Sequence, residues 1–283
     1  MLNANGVLDD GLAEAVEAAM RATAEAEIMP RWRRLAAHEV TSKAGPHDLV
    51  TVADRQAEVR LTEALTALLP GSLVVGEETV HEDPDSYAAL RGDAPVWIVD
   101  PIDGTRQFVE GRTGFATLVA LARAGELLAS WLLAPARRLL AHARRGGGAW
   151  LDGRRLQAGS PEPGAVLRVA CSHPDYTTGA EKRALAALWA PGVAPRASRA
   201  AGLEYLDIAR GELDAVAYSW ELAWDHAAGL LLVTEAGGTH LTPAGEPFDI
   251  AGGNAMPFAA ARDAETVRRI LALLDSGPDA GRA

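Results

Sequence analysis

The stretch Trp97-Ile98-Val99-Asp100-Pro101-Ile102-Asp103-Gly104-Thr105 decides how this chain is read. The apolar run Val96–Val99 predicts a buried strand, and Pro101, which cannot donate to a ladder, predicts its end at Asp100-Pro101. Two carboxylates three residues apart then enter a tight turn that opens a short helix from Thr105 to about Val109. Gly104 allows close approach of backbone to a ligand, and amides at a helix start favour an anion. Read singly, Asp100 ends a strand and Asp103 caps a helix. Read together, two acids beside an anion site repel each other and the anion. Like charges at about 4 Å cost on the order of 4 kcal/mol even at an effective dielectric near 20. A bound cation removes that cost.

Other acids fit the same logic. Glu77 and Glu78 follow the short strand Ser72–Val75, Asp54 stands near a helix start in Asp48-Leu49-Val50-Thr51-Val52-Ala53-Asp54, and Asp225 lies in Trp224-Asp225-His226-Ala227-Ala228-Gly229. Each alone is an ordinary turn or helix-start acid. Their joint presence with the Asp100–Thr105 string points to a cation site, because an oxygen-only donor set favours a hard cation over zinc.

Composition narrows the classes. The chain has 283 residues, 48% hydrophobic and 23% charged, enough for a core without disulfides or a structural metal. Lys plus Arg number 27 against 38 Asp plus Glu, a net charge of −11, which argues against a nucleic-acid polymer as partner. Cys171 is the single cysteine, so an internal disulfide is impossible. Met1–Met20 has no apolar core of the signal-peptide kind, and the apolar stretch Ala116–Leu133 is interrupted by Arg123 and Glu126. No membrane span and a cytoplasmic location are expected.

Helical spacing predicts helices over Asp9–Leu35 with a kink or break at Pro30, and over Val52–Leu69, Glu181–Trp189, Gly202–Arg210, Asp225–Glu235 and Asp263–Leu274. Strands are expected at Gly114–Leu121, Leu127–Leu133, Leu139–Ala143, Ala149–Leu151, Leu167–Cys171 and Leu213–Ala217, with a β-turn at Gly146-Gly147-Gly148 and a frayed tail from Ser276. This alternation gives an α/β or α+β protein. A Gly/Pro-rich stretch near 145–160 suggests an N-terminal part at 1–145 and a C-terminal part at 146–283.

Gly76-Glu77-Glu78, Asp100-Pro101-Ile102-Asp103-Gly104-Thr105 and Trp224-Asp225-His226-Ala227-Ala228-Gly229 together resemble the signature of the inositol monophosphatase family, Mg²⁺-dependent, lithium-sensitive sugar phosphatases. Lys43 with Asp48-Leu49-Val50-Thr51 and Asp54 is similar to the family's N-terminal motif. The resemblance covers about residues 10–275. It implies a layered α/β sandwich, of α+β kind, with alternating helix and sheet layers and the active site between two sub-domains. It also implies a homodimer and two or three Mg²⁺. Glu77, Asp100 and the Ile102 carbonyl would hold one ion, and Asp100, Asp103 and Asp225 a second. A third would lean on Glu77, with Lys43 and Glu78 beside it. Thr105 and Asp54 would orient the attacking water, with Glu77 also in the catalytic set, and the Gly104 and Thr105 amides would hold phosphate.

Substrate contacts implied by the resemblance fall on Asp103, Gly104, Thr105, Arg199, Ala200, Ala201, Tyr218 and Asp225. Arg199 stands where many members have a small residue, and Tyr218 where inositol-type members have an acid. The default substrate is inositol-1-phosphate; histidinol-phosphate or a 3′(2′),5′-bisphosphate nucleotide are rivals with the same mechanism. A binding or regulatory protein without turnover is the reading of another class. His226 is expected to point about 100° away from Asp225 on its helix, and Trp97 and Trp224 to be packing walls.

Overall fold

The computed structural model describes residues 9–275 except 44 and 46; the tail expected to fray lies outside them. Helix α1 (Asp10–Thr23) is capped by Asp9, whose Oδ1 accepts from Leu12 N at 2.7 Å. It runs into a π-turn over Ala24–Ile28 and stops ahead of Pro30, which has no N–H to extend the ladder. A short hairpin that spacing did not reveal, β1 (Val40–Ser42) with β2 (Leu49–Thr51), leads into α2 (Val52–Leu68). Thr51 and Asp54 form a capping box there: Asp54 Oδ2 accepts from Thr51 N at 2.8 Å, and Thr51 Oγ1 from Ala53 N at 3.1 Å.

The first sheet begins with β3 (Leu73–Gly76), followed by α3 (Glu77–Glu82), β4 (Pro95–Asp103) and α4 (Thr105–Val109). The meander β5 (Ala116–Arg123), β6 (Glu126–Ala134), β7 (Leu139–Arg144), β8 (Gly148–Leu151) and β9 (Arg154–Arg155) completes seven strands in chain order. The second sheet uses β10 (Leu167–Cys171), then, after α5 (Gly179–Ala186), β11 (Val193–Ala197). Next come α6 (Ala201–Ala209), β12 (Ala215–Tyr218), α7 (Ala223–Glu235), β13 (Thr239–Leu241), β14 (Phe258–Ala261) and α8 (Ala264–Asp275). Its strand order is β11-β10-β12-β14-β13, with β10, β11 and β12 mutually parallel. The sheets change over within residues 156–166, so a division at 145/146 would cut the β7–β8 hairpin of the first sheet.

Strand alternation sorts the core into three. Trp97, Val99 and Trp131 face α1 and α2, which contribute Val16, Leu61 and Leu65. Ile98, Leu118 and Leu132 face the other way, toward Leu206, Leu230 and Val233 of α6 and α7, and these helices meet Val216 and Phe258 of the second sheet. Val169 and Ala217 face Leu185 and Ile270 of α5 and α8. The result is the expected layered α/β sandwich, helix–sheet–helix–sheet–helix. None of the described helices is long and apolar enough to cross a membrane.

β4 corrects the expectation that Pro101 ends its strand. The strand runs on to Asp103, and against β5 its register slips: Asp100 faces Leu118 and Asp103 faces Ala116. The extra residue is a β-bulge, where a proline is tolerated because no ladder N–H is needed. The bulge also matters for chemistry. In a regular strand, residues three apart point to opposite faces; one inserted residue returns Asp103 to the face of Asp100.

Candidate active site

The carboxyl ends of parallel strands from both sheets open onto one cleft of about 380 Å³. Its wall includes Glu77 after β3, Asp100 and Ile102 to Arg106 at the β4–α4 junction, Ser198 to Ala201 after β11, and Trp220, Leu222, Trp224 and Asp225 at the entry to α7. Clefts at the ends of such strands are where open α/β sheets bind ligands.

Asp100, Asp103 and Asp225 each offer an oxygen within 4.8 Å of the others. Asp225 is delivered by the first turn of α7, a helix apolar enough to be buried along most of its length. Burial, then the charges of Glu77 and Asp103, pushes both Asp100 and Asp225 well above the ordinary carboxylate range. Burial also lifts Asp103 to about 7, against two hydrogen bonds from the amides of Gly202 and Ala201 that pull it down. Such repulsion marks a cluster shaped for a cation, and an all-oxygen trio fits a hard one. Glu77 lines the same cleft but stands outside this trio: Lys43 Nζ lies 2.8 Å from its Oε1 and 2.6 Å from Glu78 Oε1.

Behind the trio, the Thr105 hydroxyl lies 3.0 Å from the Ile102 carbonyl and 3.3 Å from Asp54 Oδ1. Asp54 is buried, and burial raises it to about 7, opposed by its bonds from Thr51. Gly104 has φ +84°, and a Cβ there would come within 2.9 Å of both Ala200 Cβ and the Gly114 carbonyl. Glycine is required by conformation and by space.

Of the expected substrate contacts, Asp103, Gly104, Thr105, Arg199, Ala200, Ala201 and Asp225 line the cleft. Tyr218 does not. It is fully buried, and its hydroxyl lies 3.0 Å from Ser198 Oγ; Ser198 faces the cleft instead. Alternation along β12 turns Tyr218 into the core, toward Tyr205 and Phe258. His226 is also a core residue, and burial lowers its pKa to about 3. Trp97 packs on Trp131 as a buried wall, and Trp224 walls the cleft beside Tyr87. The Gly146–Gly148 turn holds no ligand motif: its amides at 146 and 148 donate to the Glu235 carboxylate.

Sequence reasoning missed several participants. Glu58, one turn after Asp54 on α2, accepts from Glu78 N at 2.8 Å and Thr79 N at 2.7 Å, capping α3. Trp220 donates to Asp225 Oδ2 at 2.8 Å. His47, His173 and Tyr176 form part of the rim, where Arg106 pairs with Asp175 at 2.8 Å. For Glu58 the i, i+4 spacing from Asp54 was a usable signal; for the others no local pattern exists.

Comparison with known proteins agrees with this geometry. A sequence profile of the inositol monophosphatase family matches residues 8–274. The inositol-1-monophosphatase of Rhizobium meliloti is 37% identical over 216 residues, 74% of this chain and 78% of its own length. That of Bacillus subtilis is 32% identical over 237 residues, 78% of this chain and 86% of its own. The solved structure of extragenic suppressor protein suhB from Bartonella henselae superposes with a TM-score of 0.76 at 26% identity, over 94% of this chain and 97% of that one. The chain belongs to the inositol monophosphatase family, a family of phosphoric monoester hydrolases.

Proposed function

We propose that this protein is a Mg²⁺-dependent phosphatase that hydrolyses a small phosphate monoester by attack of an activated water, with inositol-1-phosphate as its reference substrate. The observation that carries the reading is the convergence of Asp100, Asp103 and Asp225, from two different elements, to within 4.8 Å. These acids, with Glu77 and the Ile102 carbonyl, would hold two ions, and a third would rest on Glu77 in exchange for Lys43. When bound, Mg²⁺ would neutralise phosphate charge, acidify a water and stabilise the leaving oxygen.

The remaining work falls to the chain's own side chains. Thr105 Oγ, whose one proton is directed at Ile102 or Asp54, has lone pairs free to accept from a water and so to orient it. Asp54, lifted to about 7, is matched to receiving a proton near neutrality. The Gly104 and Thr105 amides would hold phosphate oxygens.

A second substrate reading has its own support. Arg199 is exposed on the rim, and no ion pair among the described residues engages its guanidinium. With Tyr218 withdrawn into the core, the contact surface for a polyol ring loses one expected member. A substrate with a second anionic group, such as adenosine 3′,5′-bisphosphate, would use Arg199.

Phosphate release from inositol-1-phosphate, histidinol-phosphate and adenosine 3′,5′-bisphosphate, with and without Mg²⁺, tests both. Mg²⁺-dependent release with the highest kcat/KM on inositol-1-phosphate supports the first reading. A bisphosphate preferred by about tenfold, ~1.4 kcal/mol, with the preference lost in Arg199→Ala, overturns it for the second. No release from any compound at saturating Mg²⁺ rejects turnover and leaves the binding or regulatory role.

A further inference from the structure

We propose that Trp220 is a positioning residue that fixes the Asp225 carboxylate through its indole N–H, and that a buried Tyr205–His226 pair holds Trp220 in the required pose. The inference rests on Asp225 being a metal ligand, as above. Trp220 Nε1 lies 2.8 Å from Asp225 Oδ2. An indole N–H can only donate and a carboxylate oxygen accepts, so the bond has one polarity. It ties one oxygen of Asp225 and so restrains the rotation of a carboxylate that keeps an oxygen within 4.8 Å of Asp100 and Asp103.

The pose of Trp220 is over-determined. His226 Nε2 lies 2.9 Å from the Trp220 carbonyl, which can only accept, so Nε2 carries the proton. Nδ1, 2.9 Å from the Tyr205 hydroxyl, is then the acceptor and Tyr205 the donor. His226 is fully buried, so no solvent offers an alternative partner. Both hydrogens are thereby assigned and the ring orientation follows. Trp220 also packs at a tilt against Tyr218, with ring centroids 4.3 Å apart, and against His226 at 5.3 Å. The loop is pinned on either side. Ser219 N donates to Ser172 Oγ at 2.9 Å, Ala223 N to the Tyr87 hydroxyl at 3.0 Å, and Asn254 N to Glu221 Oε2 at 2.8 Å. A tryptophan present only to fill space would need none of this, and its N–H would have no reason to end on one of three converging acids.

Loss of the donor should cost metal affinity, because the carboxylate is no longer held in one orientation. The test is calorimetric titration of MgCl₂ into metal-stripped, full-length protein. Wild type is run first; if it binds no Mg²⁺, the metal-dependent reading itself fails. If wild type binds, Trp220→Phe, which keeps a packed ring without the N–H, should bind about tenfold more weakly. Tyr205→Phe should shift in the same direction by less. Folded Trp220→Phe with affinity within about twofold of wild type overturns the proposal. Should that variant fail to fold, Tyr205→Phe decides: an affinity equal to wild type overturns it, and a weakened one supports it.

Discussion

Asp103 Oδ2 accepts the Gly202 amide at 2.8 Å, and Asp103 Oδ1 accepts the neighbouring Ala201 amide at 2.9 Å. One carboxylate therefore ends β4 of the first sheet and caps α6, the helix lying between the sheets. The helix start favours the charged form electrostatically, and the bonds set the end of β4 against the α6–α7 layer that carries Asp225.

Gly202→Ala tests how closely this joint is packed. A Cβ at 202 would lie 2.5 Å from Leu118 Cδ2 and 3.0 Å from Asp103 Oδ2. Overpacking of this kind costs about 1–3 kcal/mol, and here it also pushes on Asp103, one of the three converging acids. We expect a lower urea midpoint together with a fall in kcat. A variant equal to the parent in both would show that the joint has slack.

Asp54→Asn should reduce kcat by about 10²–10⁴-fold, the range of a general base, with the fold retained, since the one carbonyl oxygen of Asn can still accept the Thr51 amide that Asp54 Oδ2 accepts at 2.8 Å. Because burial lifts Asp54 to about 7, the wild-type rate should fall as pH drops below neutrality and the acceptor becomes protonated. The residual activity of the variant should lack that acid limb. An unchanged pH profile in Asp54→Asn would assign the limb to another group.

Much of this was legible in the residues. The nine-residue string around Asp100 pointed to Asp100, Asp103, Gly104 and Thr105, which do line one cleft, because close backbone approach and paired acids leave local patterns. The bulge at Pro101 was not legible: proline reads as a strand end unless the partner strand supplies the slipped register, which only β5 reveals. β11 and β13 leave no strand pattern in the sequence, because Val193–Ala197 carries Pro195 and Arg196, and Thr239–Leu241 is three residues long. Tyr218 is a substrate contact only by the family resemblance, which rests on its position ahead of Asp225. Whether a β-strand residue faces the cleft or the core depends on sheet packing that spacing does not encode.

Metal-free protein should lose stability as pH rises. Asp54 and Asp103 are lifted to about 7, and Asp100 and Asp225 well above their ordinary values, mainly by burial. In the unfolded chain these acids titrate near 4. Between those limits the folded form holds more protons, so the stability they contribute is present at low pH and falls as pH climbs through their folded values. Thermal melts of stripped protein should give a lower Tm at pH 8 than at pH 5.5, and Mg²⁺ should raise Tm more at pH 8. Asp100→Asn removes one repelling charge. It should raise the metal-free Tm at pH 8 while abolishing turnover and weakening Mg²⁺ binding. Full Mg²⁺-dependent activity in that variant would contradict a bridging role for Asp100.

Glu58 ties α2 to the start of α3 at the cleft edge. It follows Asp54 by four residues, so both acids share one face of α2. Its Oε1 accepts from the Thr79 amide at 2.7 Å and the Thr79 hydroxyl at 2.6 Å, and its Oε2 from the Glu78 amide at 2.8 Å. It fills the space a side chain at Gly76 would need, since a Cβ there would sit 2.4 Å from Glu58 Cδ. This buried acid thus fixes the start of α3, and α3 presents Glu77 to the cleft and Glu78 to Lys43. Glu58→Gln replaces one accepting oxygen with a donor facing an amide or hydroxyl. Loss of a charged acceptor at buried donors costs about 1.5–3 kcal/mol. Urea unfolding should shift by that amount, and the Mg²⁺ concentration for half-maximal activity should rise, because Glu77 is no longer held at the cleft edge. A stability loss with unchanged Mg²⁺ activation would confine Glu58 to folding, and separate the cap from the proposed metal site it stands behind.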